Sequence, residues 1–313
     1  MPTTPSSDGV TVDYLHLGGT GPRVLMVHAT GFCSTAWRPM AEALADRFDC
    51  WALDVRGHGR SNPPDDARFD WAGTADDVLA VIDDLGGDAP WFGVGHSMGG
   101  ASLLLAEQRR PHTFAAIWAF EPVVFPPDLA AAAAAGAADA AGTVGAADPG
   151  ELLATGAARR RPTFASRSDA FDNYASKPPM NVFDRRALAG YLERGLVDDP
   201  DPSAPTGGVR LACEPAVESQ VYRMGGRHTA WAHLGDVGVP VTIVAGDPSV
   251  PGPGAFAAAI ADRLPHGTLE PHPDLGHFGP MQAPDRMAAS VAAAFGAGHD
   301  DRSLSDLPPT ITP

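Results

Sequence analysis

Gly95-His96-Ser97-Met98-Gly99 sets a serine between two glycines where the character of the chain changes. The apolar run Ala89-Pro90-Trp91-Phe92-Gly93-Val94 before it reads as a buried strand, and Met98 to Arg110 after it reads as a helix. A strand, a tight turn and a helix around Gly-x-Ser-x-Gly form a nucleophile elbow, in which the strained turn projects the hydroxyl out of the sheet. Neighbouring chain must pass close by, which is why Gly95 and Gly99 carry no side chain. The helix beginning after Ser97 aims its N–H groups and positive dipole end at any oxyanion formed there. A serine held in this way supports acyl transfer: attack on an ester, amide, thioester or lactone, then hydrolysis by water.

Such a serine needs elements to position it, and the chain supplies them in alternation. Residues 10–17 alternate like an edge strand, Arg23 to His28 reads as a buried strand, and Cys50 to Val55 reads as another. Helical periodicity covers Trp37 to Phe48 and Thr74 to Leu85, with Asp76 and Asp77 expected in the first turn of the second helix. The strand Phe114 to Phe120 follows the elbow helix, after which the pattern stops. It resumes at Val239 to Ala245, with a helix near 254–264, a strand near 267–271 and a helix from Pro284 to Phe295. Strands alternating with helices of this length predict an α/β fold with a mostly parallel, doubly wound sheet. The expected organisation is a core of 1–124 and 236–297 with an inserted helical lid, 125–235, after the sixth strand. Residues 129–150, mostly Ala, Gly and Asp, are expected as a loose helix or a disordered stretch, and 298–313 as a tail without structure.

Composition narrows the function classes. The chain has 313 residues, 44% of them hydrophobic, and a formal net charge of −16, which argues against nucleic acid or an anionic membrane surface as a partner. Cys33, Cys50 and Cys213 fit neither a zinc site nor a disulfide framework; no metal and no cofactor is expected. The first ten residues carry no basic start and no apolar stretch, and the expectation is a cytoplasmic protein, with a homo-oligomer left open, acting on a small-molecule acyl substrate. Gly93-x-Gly95 continues to Met98 where a dinucleotide-binding fingerprint needs its third glycine, so that alternative fails on spacing.

Four stretches together resemble the α/β-hydrolase superfamily, in its lidded serine esterase and cofactor-free haloperoxidase branch. They are His28-Ala29-Thr30-Gly31-Phe32, Asp54-Val55-Arg56-Gly57-His58-Gly59-Arg60-Ser61, Gly95-His96-Ser97-Met98-Gly99-Gly100 and Gly276-His277-Phe278-Gly279-Pro280. The resemblance covers about 1–125 and 236–296 and implies an eight-stranded sheet. It also implies that the first stretch forms half of an oxyanion hole, with Ala29 where the family usually has glycine. Thr30 then stands at the donor position, and Met98, directly after Ser97, supplies the second N–H. The 54–61 stretch is expected to shape a loop without chemistry, and His58 is not expected to act as a base.

A serine hydroxyl needs a base, and histidine titrates near neutral pH. Of eleven histidines, His277 follows the last strand in the family's position for that base, whereas His272 is expected to be structural, His96 to point away from the hydroxyl and His28 to line the floor of the site. Two carboxylates compete for orienting the imidazole. Glu121 ends a buried strand in Phe120-Glu121-Pro122. Asp247 lies in Gly246-Asp247-Pro248-Ser249, where serine holds the family's usual acid position. A charge at the end of an apolar strand needs a partner, and His277 would serve for Glu121. The resulting expectation is a serine hydrolase of carboxylic esters or related acyl compounds. The alternatives are a C–C bond hydrolase or perhydrolase on the same triad, and a catalytically weak ligand-binding protein of the same fold. Arg159-Arg160-Arg161 is read as a solvated face, with an anionic substrate as the competing explanation.

Overall fold

The computed structural model describes residues 2–87, 89–127, 149–201, 203 and 207–296. The expectations for 129–148 and for the tail 298–313 lie outside the described residues. Eight strands form the main sheet: β1 (Thr3–Pro5), β2 (Thr11–Gly18), β3 (Arg23–Val27), β4 (Asp49–Leu53), β5 (Trp91–His96), β6 (Phe114–Phe120), β10 (Val241–Ala245) and β11 (Gly267–Pro271). Their order across the sheet is β1-β2-β4-β3-β5-β6-β10-β11. Strands β1, β2 and β4 pair antiparallel, and the rest of the sheet is parallel.

The central strands are apolar throughout because both faces of the sheet are covered. In β3, Val24 and Met26 enter one core while Leu25 and Val27 enter the other. Helices α1 (Arg38–Leu44) and α10 (Pro284–Gly296) cover the first face, through Met40, Leu44, Met287 and Val291. Helices α2 (Trp71–Leu85), α3 (Met98–Arg109) and α8 (Ala257–Arg263) cover the second, through Val78, Val81, Leu103, Leu104 and Ile260. This is the mostly parallel, doubly wound sheet that the alternation predicted, with the eight strands that the resemblance implied.

Two local expectations change. Strand β2 is not the edge, because Thr3–Pro5 pairs antiparallel outside it, with Thr4 opposite Val12. Three residues are too short to show a period of two. Helix α2 begins at Trp71 rather than Thr74, since Asp70 accepts a hydrogen bond from Ala72 N–H and caps it. Asp77 therefore lies well inside the helix, where it is fully buried against the Arg56 guanidinium at 2.9 Å.

Between β6 and β10 the chain leaves the sheet. It forms α4 (Pro149–Ala158), α5 (Arg167–Ala175), α6 (Arg185–Arg194), α7 (Pro215–Met224) and a small antiparallel sheet of β7 (Thr163–Phe164), β9 (Val209–Leu211) and β8 (Leu196–Asp198). Phe164, Phe183, Leu188, Tyr191 and Leu211 of this insertion join the core on the α1 face. Arg194, the last residue of α6, is buried between Asp13 of β2 and Asp54 after β4, with the Asp54 contact at 3.0 Å. The insertion is thereby tied to the sheet through a buried ionic cluster.

Candidate active site

The ends of β5, β6 and β10 converge because the strands run parallel and in register. His96 lies opposite Phe120, and Phe120 opposite Val244. Ser97 follows β5 with φ 55° and ψ −115°, a positive φ that is strained for a side-chain-bearing residue. Its backbone holds it there: Ser97 N–H donates to Phe120 O at 2.9 Å, and Ser97 O accepts from Val123 N–H at 3.2 Å. Gly99 explains why the turn tolerates nothing larger, since a β-carbon on it would be driven into the carbonyl of Val27 at the end of β3.

Glu121 follows β6 and also has positive φ, 42°. Its N–H donates to Val244 O at 2.8 Å. Oε1 accepts from Gly246 N–H at 2.9 Å, and Oε2 lies 2.6 Å from Nδ1 of His277. The carboxylate side chain is 5% exposed, and both oxygens are occupied. A buried carboxylate with an amide donor on one oxygen and an imidazole on the other meets the requirement for keeping such a charge inside. Asp247, the competing acid, turns elsewhere. Its Oδ1 accepts from Ser249 N–H at 2.9 Å, and the Ser249 hydroxyl and amide hold its carboxyl below the usual value. Glu121 has already taken the amide directly before it.

His277 sits on the loop between β11 and α9 (Gly279–Gln282). Nε2 of His96 donates to His277 O at 2.7 Å, and the two rings are 4.9 Å apart. His96 therefore ties the residue before Ser97 to the backbone of His277, which is more than the expectation of a side chain merely turned away. Burial pushes the His96 pKa well below its ordinary value and keeps the ring neutral. Among the described residues, Ser97 Oγ makes no hydrogen bond of its own; links of this kind are often long before substrate is bound.

The loop after β3 closes the other side. Thr30 Oγ1 is 3.5 Å from Met98 Sδ, so the two expected N–H donors belong to touching residues. Phe32 N–H turns back to Ala29 O at 3.1 Å, and Gly31 N–H donates to His58 Nε2 at 3.0 Å. No hydrogen bond among the described residues occupies the N–H of Thr30 or of Met98. His28 is buried beneath the loop, with Nδ1 donating to Ala29 O and Nε2 accepting from Val55 N–H, and burial pushes its pKa down to about 4. His272 is engaged by Glu270 at 2.7 Å.

Sequence reasoning missed the residues that the insertion contributes. Phe183 stacks on Phe32 at 5.9 Å and lies 5.4 Å from Phe278, the neighbour of His277. Arg160 is not a solvated side chain. It pairs with Glu218 of α7 and donates to the hydroxyls of Tyr174 and Tyr191 at 3.1 and 3.0 Å. Arg161 does face outward, on Asp169 at 2.8 Å. No motif marked Phe183, the charge run pointed Arg160 to solvent, and only the folded insertion brings both over the loop after β3. Among the described residues no cluster of three His, Cys, Asp or Glu could hold a metal ion, and no helix is long and apolar enough to cross a membrane.

An eight-stranded sheet of this order, with a strained serine after β5, defines an α/β hydrolase, and the comparisons agree. The profile of the Alpha/beta hydrolase family matches residues 24–290, and the chain belongs to that family. N-formylmaleamate deformylase of Pseudomonas putida is 35% identical over 94 residues, which are 30% of this chain and 35% of the deformylase. Mouse protein phosphatase methylesterase 1 is 35% identical over 88 residues, 27% of this chain and 23% of that protein. The similarity to these curated relatives thus spans about a third of their length or less. The crystal structure of E-2-(acetamidomethylene)succinate hydrolase superposes with a TM-score of 0.69 at 22% identity, over 94% of this chain and 98% of that one, a likeness of fold.

Proposed function

We propose that this protein is a serine hydrolase that cleaves a carboxylic ester, or a related acyl compound such as a lactone or thioester, through an acyl-enzyme intermediate. The observation that carries this reading is the 2.6 Å contact between Glu121 Oε2 and His277 Nδ1, made on the loop tied to His96, the residue before Ser97. Glu121 keeps the Nδ1–H tautomer, which leaves Nε2 as the base. His277 takes the Ser97 proton as Oγ attacks the acyl carbon. The N–H groups of Thr30 and Met98 stabilise the oxyanion, each supplying about 3–4 kcal/mol in the transition state. The leaving group departs with the proton from His277. Water, deprotonated by the same imidazole, then releases the acid and restores Ser97. No step calls for a cofactor or a metal. The deformylase relative, named for an N-formyl substrate, extends the candidate bonds to acyl C–N. The insertion, through Phe183 and Tyr191, is the part of the chain that selects the acyl group.

A fluorophosphonate probe and a series of p-nitrophenyl esters of rising chain length test this. Labelling and turnover should be present in the parent protein and absent in a folded Ser97→Ala variant. Turnover within tenfold of the parent in Ser97→Ala would overturn the nucleophile assignment.

A further inference from the structure

We infer that His58 is a positioning residue of the oxyanion loop: it binds the N–H of Gly31 and so leaves the N–H of Thr30 as the amide directed at the reacting oxygen. The inference rests on the hydrolase reading above.

Thr30 and Gly31 offer two successive amides, and a loop of this kind can turn either one toward the nucleophile. Here the choice is made by a side chain from the other crossover. His58 is fully buried in the loop after β4, and Nδ1 donates to Arg56 O at 3.0 Å. That bond fixes the tautomer and leaves Nε2 as a bare acceptor, 3.0 Å from Gly31 N. Burial, with His28 5.1 Å away, pushes the His58 pKa down to about 3, so the acceptor lone pair persists at neutral pH. His28 makes the reciprocal bond, accepting from Val55 N–H at 3.0 Å, so the two loops are stitched in both directions.

The other side of Gly31 is closed as well. Gly31 has φ 81°, and a β-carbon on it would collide with the carboxylate of Glu218 from α7. Arg160 pairs with that carboxylate and neutralises its charge beside the loop. Gly31 is thus held between an acceptor in the core and an ion pair in the insertion. Neither contact touches the reacting atoms, and both act on where the neighbouring Thr30 amide points.

The test compares three substitutions by steady-state kinetics on a p-nitrophenyl ester and by binding of a boronic acid, which mimics the tetrahedral adduct. Gln can bring an amide oxygen to the place of Nε2, Asn is one methylene too short, and Phe keeps the ring without an acceptor. His58→Phe and His58→Asn should lower kcat about 10- to 100-fold, somewhat less than outright loss of an oxyanion donor. KM should stay within about threefold, and boronic acid affinity should fall in step with kcat. His58→Gln should recover most of both. A full-rate His58→Asn or His58→Phe, or an equal loss in all three that follows the fall in melting temperature, would overturn the inference. If His58→Phe does not fold, the contrast between Gln and Asn decides alone. Ser97→Ala, run alongside, separates the two readings: if it stays active, the hydrolase reading fails, whereas an inactive Ser97→Ala beside a full-rate His58→Asn removes only the role of His58.

Discussion

Glu121 and His277 are 156 residues apart in the chain and meet at 2.6 Å. The second oxygen of the same carboxylate is held by Gly246 N–H at 2.9 Å. A carboxylate bound on both sides cannot rotate away from the imidazole without leaving a buried amide unpaired.

This pairing separates the two acids by experiment. Glu121→Gln should lower kcat on an ester substrate by on the order of 10³–10⁴, because the wrong imidazole tautomer is favoured and the imidazolium loses its counter-charge. Asp247→Asn should change kcat by less than about threefold, the range expected when only a capped turn is altered. Exchanged outcomes would assign the acid to Asp247.

Three buried histidines and the partly buried His228 set the acid side of stability. Burial lowers the pKa of His28 to about 4 and of His58 to about 3, and also lowers those of His96 and His228. In the unfolded chain each binds a proton near pH 6.5, so below that pH the unfolded state holds more protons than the folded one. Their contribution is full above about pH 6.5 and is lost as pH falls toward 4. Urea midpoints should drop steadily between pH 7 and pH 5, before most carboxylates titrate. A flat profile over that interval would refute the assignment of these rings as neutral and buried.

Arg194 anchors the insertion. Its guanidinium is 2% exposed, between Asp13 and the fully buried Asp54. Arg194→Met would leave two carboxylates buried without that cation, which is expected to cost about 3–5 kcal/mol of unfolding free energy. Adding Asp13→Asn to that variant should restore part of the loss. A change within about 1 kcal/mol in chemical denaturation, the scale of a surface pair, would show that the cluster contributes little.

Phe183 is the expected handle on acyl size. Its ring bridges Phe32 of the loop after β3 and Phe278 beside His277, at 5.9 and 5.4 Å. Phe183→Ala should raise kcat/KM for longer p-nitrophenyl esters relative to the acetate by about tenfold, the low end of what one methylene contact in a pocket is worth. An unchanged chain-length profile would place the acyl pocket elsewhere.

Much of the fold was legible because its signals are local. Strands β3, β4, β5, β6, β10 and β11 and the helices between them announce themselves through period and turn residues, and the family profile covers the same stretches. The elbow was legible for the same reason, since strand, glycines, serine and helix lie within twenty residues. Strand β1 escapes because three residues carry no period, and α2 starts earlier than the helical pattern from Thr74 because the Asp70 cap sets its start at Trp71.

The sequence by itself determined the sheet class, the serine between Gly95 and Gly99, and the histidine on the loop after β11. Each is written in contiguous residues whose backbone preferences and burial pattern act over one or two turns. Only the tertiary structure decided which carboxylate meets His277. That depends on β6 and β10 lying side by side with Phe120 opposite Val244, which delivers Glu121 to Gly246 and leaves Asp247 to its own turn. It likewise decided that His58 takes the N–H of Gly31 and that Arg160 and Glu218 close over the same glycine. Those contacts join residues 27 or more positions apart, and their energies depend on burial and hydrogen-bond geometry that exist only once the sheet and the insertion have packed.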